Sequence, residues 1–161
     1  MKRLVLMRHG HSPNVATIRD HDRPLSPKGH LQAKQMAQHL NQYSWNIDLA
    51  LVSTATRTAE TWSSLQQNLH QPTIRMHLEA QFYLSGLGAL QTVLGQQEPC
   101  TILALGHNNG WSSAIERLCG HHIILQTAAL VVLEHPASTW NDAIYSDQWT
   151  LSHHLSPHEY R

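Results

Sequence analysis

The chain is 161 residues long and sets 11 lysines and arginines against 11 aspartates and glutamates, so it has no net field to attract nucleic acid or an anionic membrane. That length suits one compact unit with its own core, expected to span residues 1–161. The first apolar run lasts only from Leu4 to Met7, too short for a signal-peptide core or a membrane span, and the two cysteines lack metal-ligand spacing. Reduced, partly buried thiols and a cytoplasmic setting are therefore expected.

Leu4-Val5-Leu6-Met7 shows no polar alternation, the pattern of a strand covered on both faces, and it stops abruptly at Arg8, His9 and Gly10. The glycine lets the backbone turn sharply or approach a ligand closely. Ligands in open α/β sheets sit outside the carboxyl ends of the strands, where Arg8 and His9 fall. A polar loop runs from Ser12 to Arg23. Ser26 then suits a helix N-cap and Pro27 the first helical position, with Ala33, Met36, Ala37 and Leu40 at helical spacing to about Asn41.

The next apolar run, Ile47 to Val52, reads as a strand ending at Ser53-Thr54, followed by a helical pattern through Ala55, Ala59, Trp62, Leu65 and Leu69. Thr73 to Leu78 is a further strand candidate, and Leu84 to Leu94 a short helix broken by Gly86 and Gly88. Thr101 to Gly106 is the clearest buried strand. It leads through His107-Asn108-Asn109-Gly110 to a helix with Trp111, Ala114, Ile115 and Leu118 on one face and Gly120 placed to end it. Ala128 to Leu133 and Asp147 to Leu151 read as closing strands, the second at an edge, and the tail from Ser152 as loose. Strands alternating with helices predict an α/β sandwich with a mostly parallel sheet.

In such a sheet the residues following the central strands converge on one edge. Here they are Arg8-His9, Ser53 to Arg57, and His107-Asn108. Arg57 falls in the first turn of its helix, where unpaired N–H groups and the helix dipole already favour an anion. Two arginines and two histidines at such a point describe a phosphate cradle, since a guanidinium fork gives charge-assisted bidentate bonds to phosphate oxygens. Among 14 histidines, no His-Glu-x-x-His spacing gathers a metal site. His9-Gly10-His11 keeps a metallohydrolase as an alternative.

The ordered set Met7-Arg8-His9-Gly10, Arg23-Pro24-Leu25-Ser26-Pro27-Lys28-Gly29, Ser53-Thr54-Ala55-Thr56-Arg57-Thr58-Ala59-Glu60-Thr61 and Gly106-His107-Asn108 resembles the histidine phosphatase superfamily over roughly residues 3–120. The short chain and early Arg-Pro-Leu segment are most similar to its small phosphohistidine phosphatases. The resemblance implies a phosphoglycerate-mutase-like three-layer α/β/α sandwich. It also implies His9 as the nucleophile, with Arg8, Arg57 and protonated His107 completing the phosphate pocket. Arg23 and Asn108 are further substrate-binding candidates, and Glu79 matches the general acid of larger members by rough spacing. No metal or cofactor is expected.

The activity implied is a metal-independent phosphatase acting through a phosphohistidine intermediate, with protein phosphohistidine as substrate. Two alternatives stand beside it. One is a small-molecule phosphomonoesterase acting on sugar or nucleotide phosphates, and the other is a non-catalytic module that binds a phosphorylated partner.

Overall fold

A computed structural model describes residues 1–157. Strands β1 (Lys2–Arg8), β2 (Leu49–Ser53), β3 (Arg75–Glu79), β4 (Thr101–Gly106), β5 (Leu130–His135) and β6 (Thr150–Leu155) form one sheet in the order β3-β2-β4-β1-β5-β6. The β1·β4, β2·β4 and β2·β3 pairs are parallel, whereas β5 is antiparallel to both β1 and β6. Thus β5 alone runs against the rest, and the mostly parallel sheet expected from the sequence is what forms.

Helices α1 (Pro27–Leu40) and α2 (Thr56–Asn68) cover one face, and α3 (Leu87–Leu94), α4 (Gly110–Cys119) and α5 (Trp140–Ile144) the other. Alternation along β1 shows why Leu4 to Met7 are apolar without a break. Leu4 and Leu6 join Trp111, Ile115 and Trp140 in one core, while Val5 and Met7 join Met36, Trp62 and Leu65 in the other. Side chains of a strand point alternately to opposite faces, so a strand with helices on both sides has no polar position.

The start of α1 is locked to the end of β1. Pro27 opens the helix, and the Ser26 hydroxyl accepts from the Gly29 amide at 3.1 Å and lies 2.7 Å from Nδ1 of His11. Gly10 serves this junction, because a Cβ there would lie 2.8 Å from the Gly29 carbonyl oxygen. Its close approach is therefore to α1, not to a ligand.

Several boundaries differ from expectation. The segment from Ser152 is not loose through Leu155: it completes β6, which begins at Thr150 and pairs Leu155 with Leu130. The end of that tail, residues 158–161, lies outside the described residues. An edge strand is held by its backbone ladder and needs little apolar patterning, so it carries a weak sequence signal. The other closing strand is shifted, starting at Leu130 and running to His135. Gly88 does not break α3 but lies inside it, Gly86 being the N-cap. The short α5 has no counterpart in the sequence reading; Thr139 caps it by accepting from the Asp142 amide at 3.2 Å, and Trp140 is buried. Both cysteines are free, but Cys100 is exposed instead of partly buried because it precedes the first residue of β4. Among the described residues, no helix is long and apolar enough to cross a membrane.

Candidate active site

The three adjacent strands β2, β4 and β1 deliver Ser53, His107 and Arg8-His9 to one edge of the sheet, and α2 adds Arg57 as its second residue. Arg57 is only 2 % exposed, His9 8 % and His107 1 %. A buried guanidinium between two buried imidazoles is costly unless each polar atom is partnered or awaits a ligand.

Hydrogen bonding fixes the tautomer of His9. Its Nδ1 lies 2.7 Å from the Gly10 carbonyl oxygen, which can only accept, so Nδ1 carries the proton. The lone pair of neutral His9 is then on Nε2, and Nε–H of Arg57 donates to it at 3.3 Å. Burial, followed by the charges of Arg57, Arg8 and Arg23, pushes His9 down to about 4, against the raising effect of the Gly10 bond. The ring is therefore neutral at pH 7, with Nε2 unprotonated and held by the Arg57 Nε–H.

His107 stands opposite, its ring centroid 5.4 Å from that of His9. Nη2 of Arg57 donates to its Nδ1 at 3.3 Å, leaving Nε2–H to donate to the Ser53 hydroxyl at 2.8 Å. Burial first, then His9 and Arg57, push His107 down to about 3. The protein alone thus holds His107 neutral, whereas the sequence reading has it protonated; the cationic form requires a compensating anion beside it.

Arg8 donates through Nη1 to the Leu125 carbonyl at 2.9 Å, while its buried Nε has no hydrogen-bond partner. Burial and the charge of Arg57 both lower its pKa. An orphaned buried guanidinium donor beside a second arginine is a site that favours an anion.

The other candidates take up varied positions. Arg23 donates to Asp20 Oδ1 at 3.1 Å and to the Ser12 carbonyl at 2.9 Å, and so ties down the loop after β1. Asn108 donates to the Leu125 carbonyl at 3.0 Å and accepts from the Ser112 hydroxyl at 2.7 Å, which commits one end of its amide to the loop after α4 and the other to the first turn of α4. Glu79 ends β3, in register with Ser53, and its carboxylate accepts from the Gln81 amide at 3.3 Å. Of the two histidines flanking Gly10, His11 faces Ser26, away from the His9 interaction with Arg57. Among the described residues, no group of three or more His, Cys, Asp or Glu side chains is arranged to hold a metal ion.

Sequence reading misses Asp20 and Tyr83. Asp20 opens a 3₁₀ turn over residues 20–22, and its carboxylate receives Arg57, Arg23 and the Tyr83 hydroxyl. Those bonds, led by that of Tyr83, hold Asp20 down at about 2. Tyr83 packs edge-on against His107 at 5.4 Å. The only signal in the sequence is the position of Asp20 three residues before Arg23.

Residues 4–82 match the family model of the histidine phosphatase superfamily, branch 1. An uncharacterized chloroplastic protein of Arabidopsis thaliana is 36 % identical over 153 residues, which cover 88 % of this chain and 70 % of that protein. The chain belongs to the histidine phosphatase superfamily. Its fold is similar to that of the protein histidine phosphatase SixA complexed with tungstate, at TM-score 0.81 and 20 % identity over 96 % of this chain and 97 % of that one. The putative phosphohistidine phosphatase SixA from Agrobacterium tumefaciens gives 0.80 and 23 % over 98 % and 99 %. A phosphoserine phosphatase from Entamoeba histolytica is more distant, at 0.66 and 16 % over 97 % and 98 %. These likenesses establish a phosphoglycerate-mutase-like fold.

Proposed function

We propose that the protein is a metal-independent phosphatase that works through a phosphohistidine on Nε2 of His9, with protein phosphohistidine as substrate. The observation that carries this reading is the neutral His9 whose Nε2 faces the buried Arg57, with the half-buried Arg8 preceding His9 in the chain. Family membership and the SixA-like fold support phosphatase chemistry.

In the first step Arg57 Nε–H turns from His9 to a phosphoryl oxygen, and the freed Nε2 lone pair forms a bond to phosphorus as the bond to the leaving atom breaks. The leaving atom keeps that electron pair and takes up a proton. In the second, a water oxygen attacks phosphorus, the N–P bond breaks with its pair returning to Nε2, and orthophosphate departs as the water proton is lost. Charge spread over the equatorial oxygens is met by Arg8, through its unpartnered Nε, and by Arg57. A phosphoryl dianion beside His107 adds to the negative charge of Asp20, which by itself does not outweigh burial and Arg57, and so favours the imidazolium. Arg23 and Asn108 act by holding the two loops that frame the pocket.

This activity is assigned to a single unit over residues 1–161, in a reducing, cytoplasmic setting consistent with two free thiols. The fold shared with a phosphoserine phosphatase favours small phosphoesters as the second reading. A panel of phosphohistidine protein, phosphotyrosine, phosphoserine and sugar phosphates under identical conditions tests both. The highest kcat/KM is expected on phosphohistidine; faster hydrolysis of a sugar or nucleotide phosphate selects the second reading, and binding of all without turnover makes the protein a recognition module. The same panel after exhaustive chelation tests metal independence. Arg8 and Arg57 provide fixed positive charge, so activity should persist, whereas loss with chelator and recovery with zinc or manganese would require ligands beyond the arginine pocket.

A further inference from the structure

We propose that Asp20 is a built-in counter-anion for Arg57, which holds the guanidinium in position for phosphoryl transfer and weakens its grip on the orthophosphate product. This rests on the phosphatase reading of the same site.

Arginine offers five N–H donors in a rigid fork. Here Nε–H is spent on His9, while Nη1 donates to the Asp20 backbone carbonyl at 2.7 Å and Nη2 to its carboxylate at 3.1 Å. The outer edge of the fork, where a phosphate would otherwise bind through two parallel bonds, therefore already faces a carboxylate. That carboxylate is itself fixed, by Nε of Arg23 at 3.1 Å on one oxygen and by the Tyr83 hydroxyl on the other. Asp20 is thus a positioning residue that acts through Arg57.

Two effects of opposite sign follow. Fixing the fork holds the guanidinium charge beside the nucleophile, where charge develops on the transferring group, and favours the chemical step. A fixed negative charge sharing the same guanidinium disfavours any second anion, above all the product dianion, and so hastens its release. A residue that merely held the loop together would, when removed, weaken catalysis and phosphate binding alike.

Asp20→Asn separates these outcomes, since it removes the charge and keeps the shape. The Asp20 side chain is 46 % exposed on a surface turn, so the fold is expected to tolerate the change, and Asp20→Ser supplies a second charge-removing variant. Orthophosphate is titrated calorimetrically into wild type and both variants, and kcat and KM are measured on the best substrate of the panel. Removal of a nearby unit charge is expected to tighten orthophosphate binding roughly three- to tenfold in both variants, with kcat falling by a similar factor. Unchanged or weaker orthophosphate binding in the folded variants overturns the proposal. Failure of the wild type to bind orthophosphate and to form a phosphoenzyme would instead remove the phosphatase reading, and this inference with it.

Discussion

Arg57 and His9 meet through the one atom of each that matters for nucleophilic chemistry: Nε–H of Arg57 lies 3.3 Å from Nε2 of His9, whose other nitrogen is tied to the Gly10 carbonyl. The contact selects the reactive tautomer and places a permanent cation where negative charge develops on a transferring group. Burial, with the charge of that cation added to it, lowers the basicity of His9, so the nucleophile stays neutral well into the acid range.

The first prediction is kinetic. With His9 held at about 4, the acid limb of kcat/KM assigned to the free enzyme should fall near pH 4, once the substrate's own ionisation is allowed for. A limb near the ordinary histidine value of about 6.5 would mean that His9 is not the group being read.

The same histidines link stability to pH. The unfolded chain protonates His9 and His107 near pH 6.5, whereas the folded chain resists until about 4 and about 3. Between those values the unfolded state binds more protons, so stability is full above about pH 6.5 and falls as pH drops, with a limiting slope of about 1.4 kcal/mol per pH unit for each histidine. Denaturant unfolding from pH 7.5 to 4.5 checks the slope, and His107→Asn should flatten it; an unchanged slope would contradict the assignment.

Packing behind the site gives a third prediction. A Cβ on Gly110 would collide with the Ser85 carbonyl oxygen, and neither backbone has a flexible end to yield. Gly110→Ala should lower stability by about 1–3 kcal/mol. It should also slow catalysis, since Gly110 opens α4 directly behind the His107 loop and Ser85 follows Tyr83 closely. A variant with wild-type midpoint and rate would show that the two segments move apart freely.

Much of this site was legible in the sequence because it hangs on strand ends. Leu4 to Met7 and Thr101 to Gly106 could only be buried strands, so Arg8-His9 and His107 had to emerge at the same edge, and Arg57 had to follow the short β2 in the first turn of α2. Asp20 and Tyr83 were not legible for the opposite reason. They reach Arg57 from a 3₁₀ turn and from the segment beyond β3, and their meeting depends on loop paths that no periodicity encodes. The edge strand β6 was legible only in part, as a closing edge strand over Asp147 to Leu151; its continuation through Leu155 escaped because backbone pairing with β5 carries it, leaving polar side chains such as His153 and His154 there.

Glu79 couples mechanism to substrate. Imidazole leaves readily, whereas a serine or sugar alkoxide needs a proton in the transition state, and general acid catalysis is typically worth about 10²–10⁴-fold. If Glu79 supplies that proton, Glu79→Gln should slow phosphoester hydrolysis by something in that range and phosphohistidine hydrolysis much less. Its carboxylate already caps the Gln81 amide, so equal small losses on both substrates would assign it that local role alone.

The most direct measurement is to trap the intermediate. Brief exposure to substrate labelled in its phosphoryl group, followed by an alkaline quench, should leave one acid-labile phosphoryl group on His9, and His9→Ala should carry none and lose turnover by on the order of 10³-fold or more. Full turnover by His9→Ala, or a wild-type enzyme that turns over without ever carrying label on His9, would contradict the account.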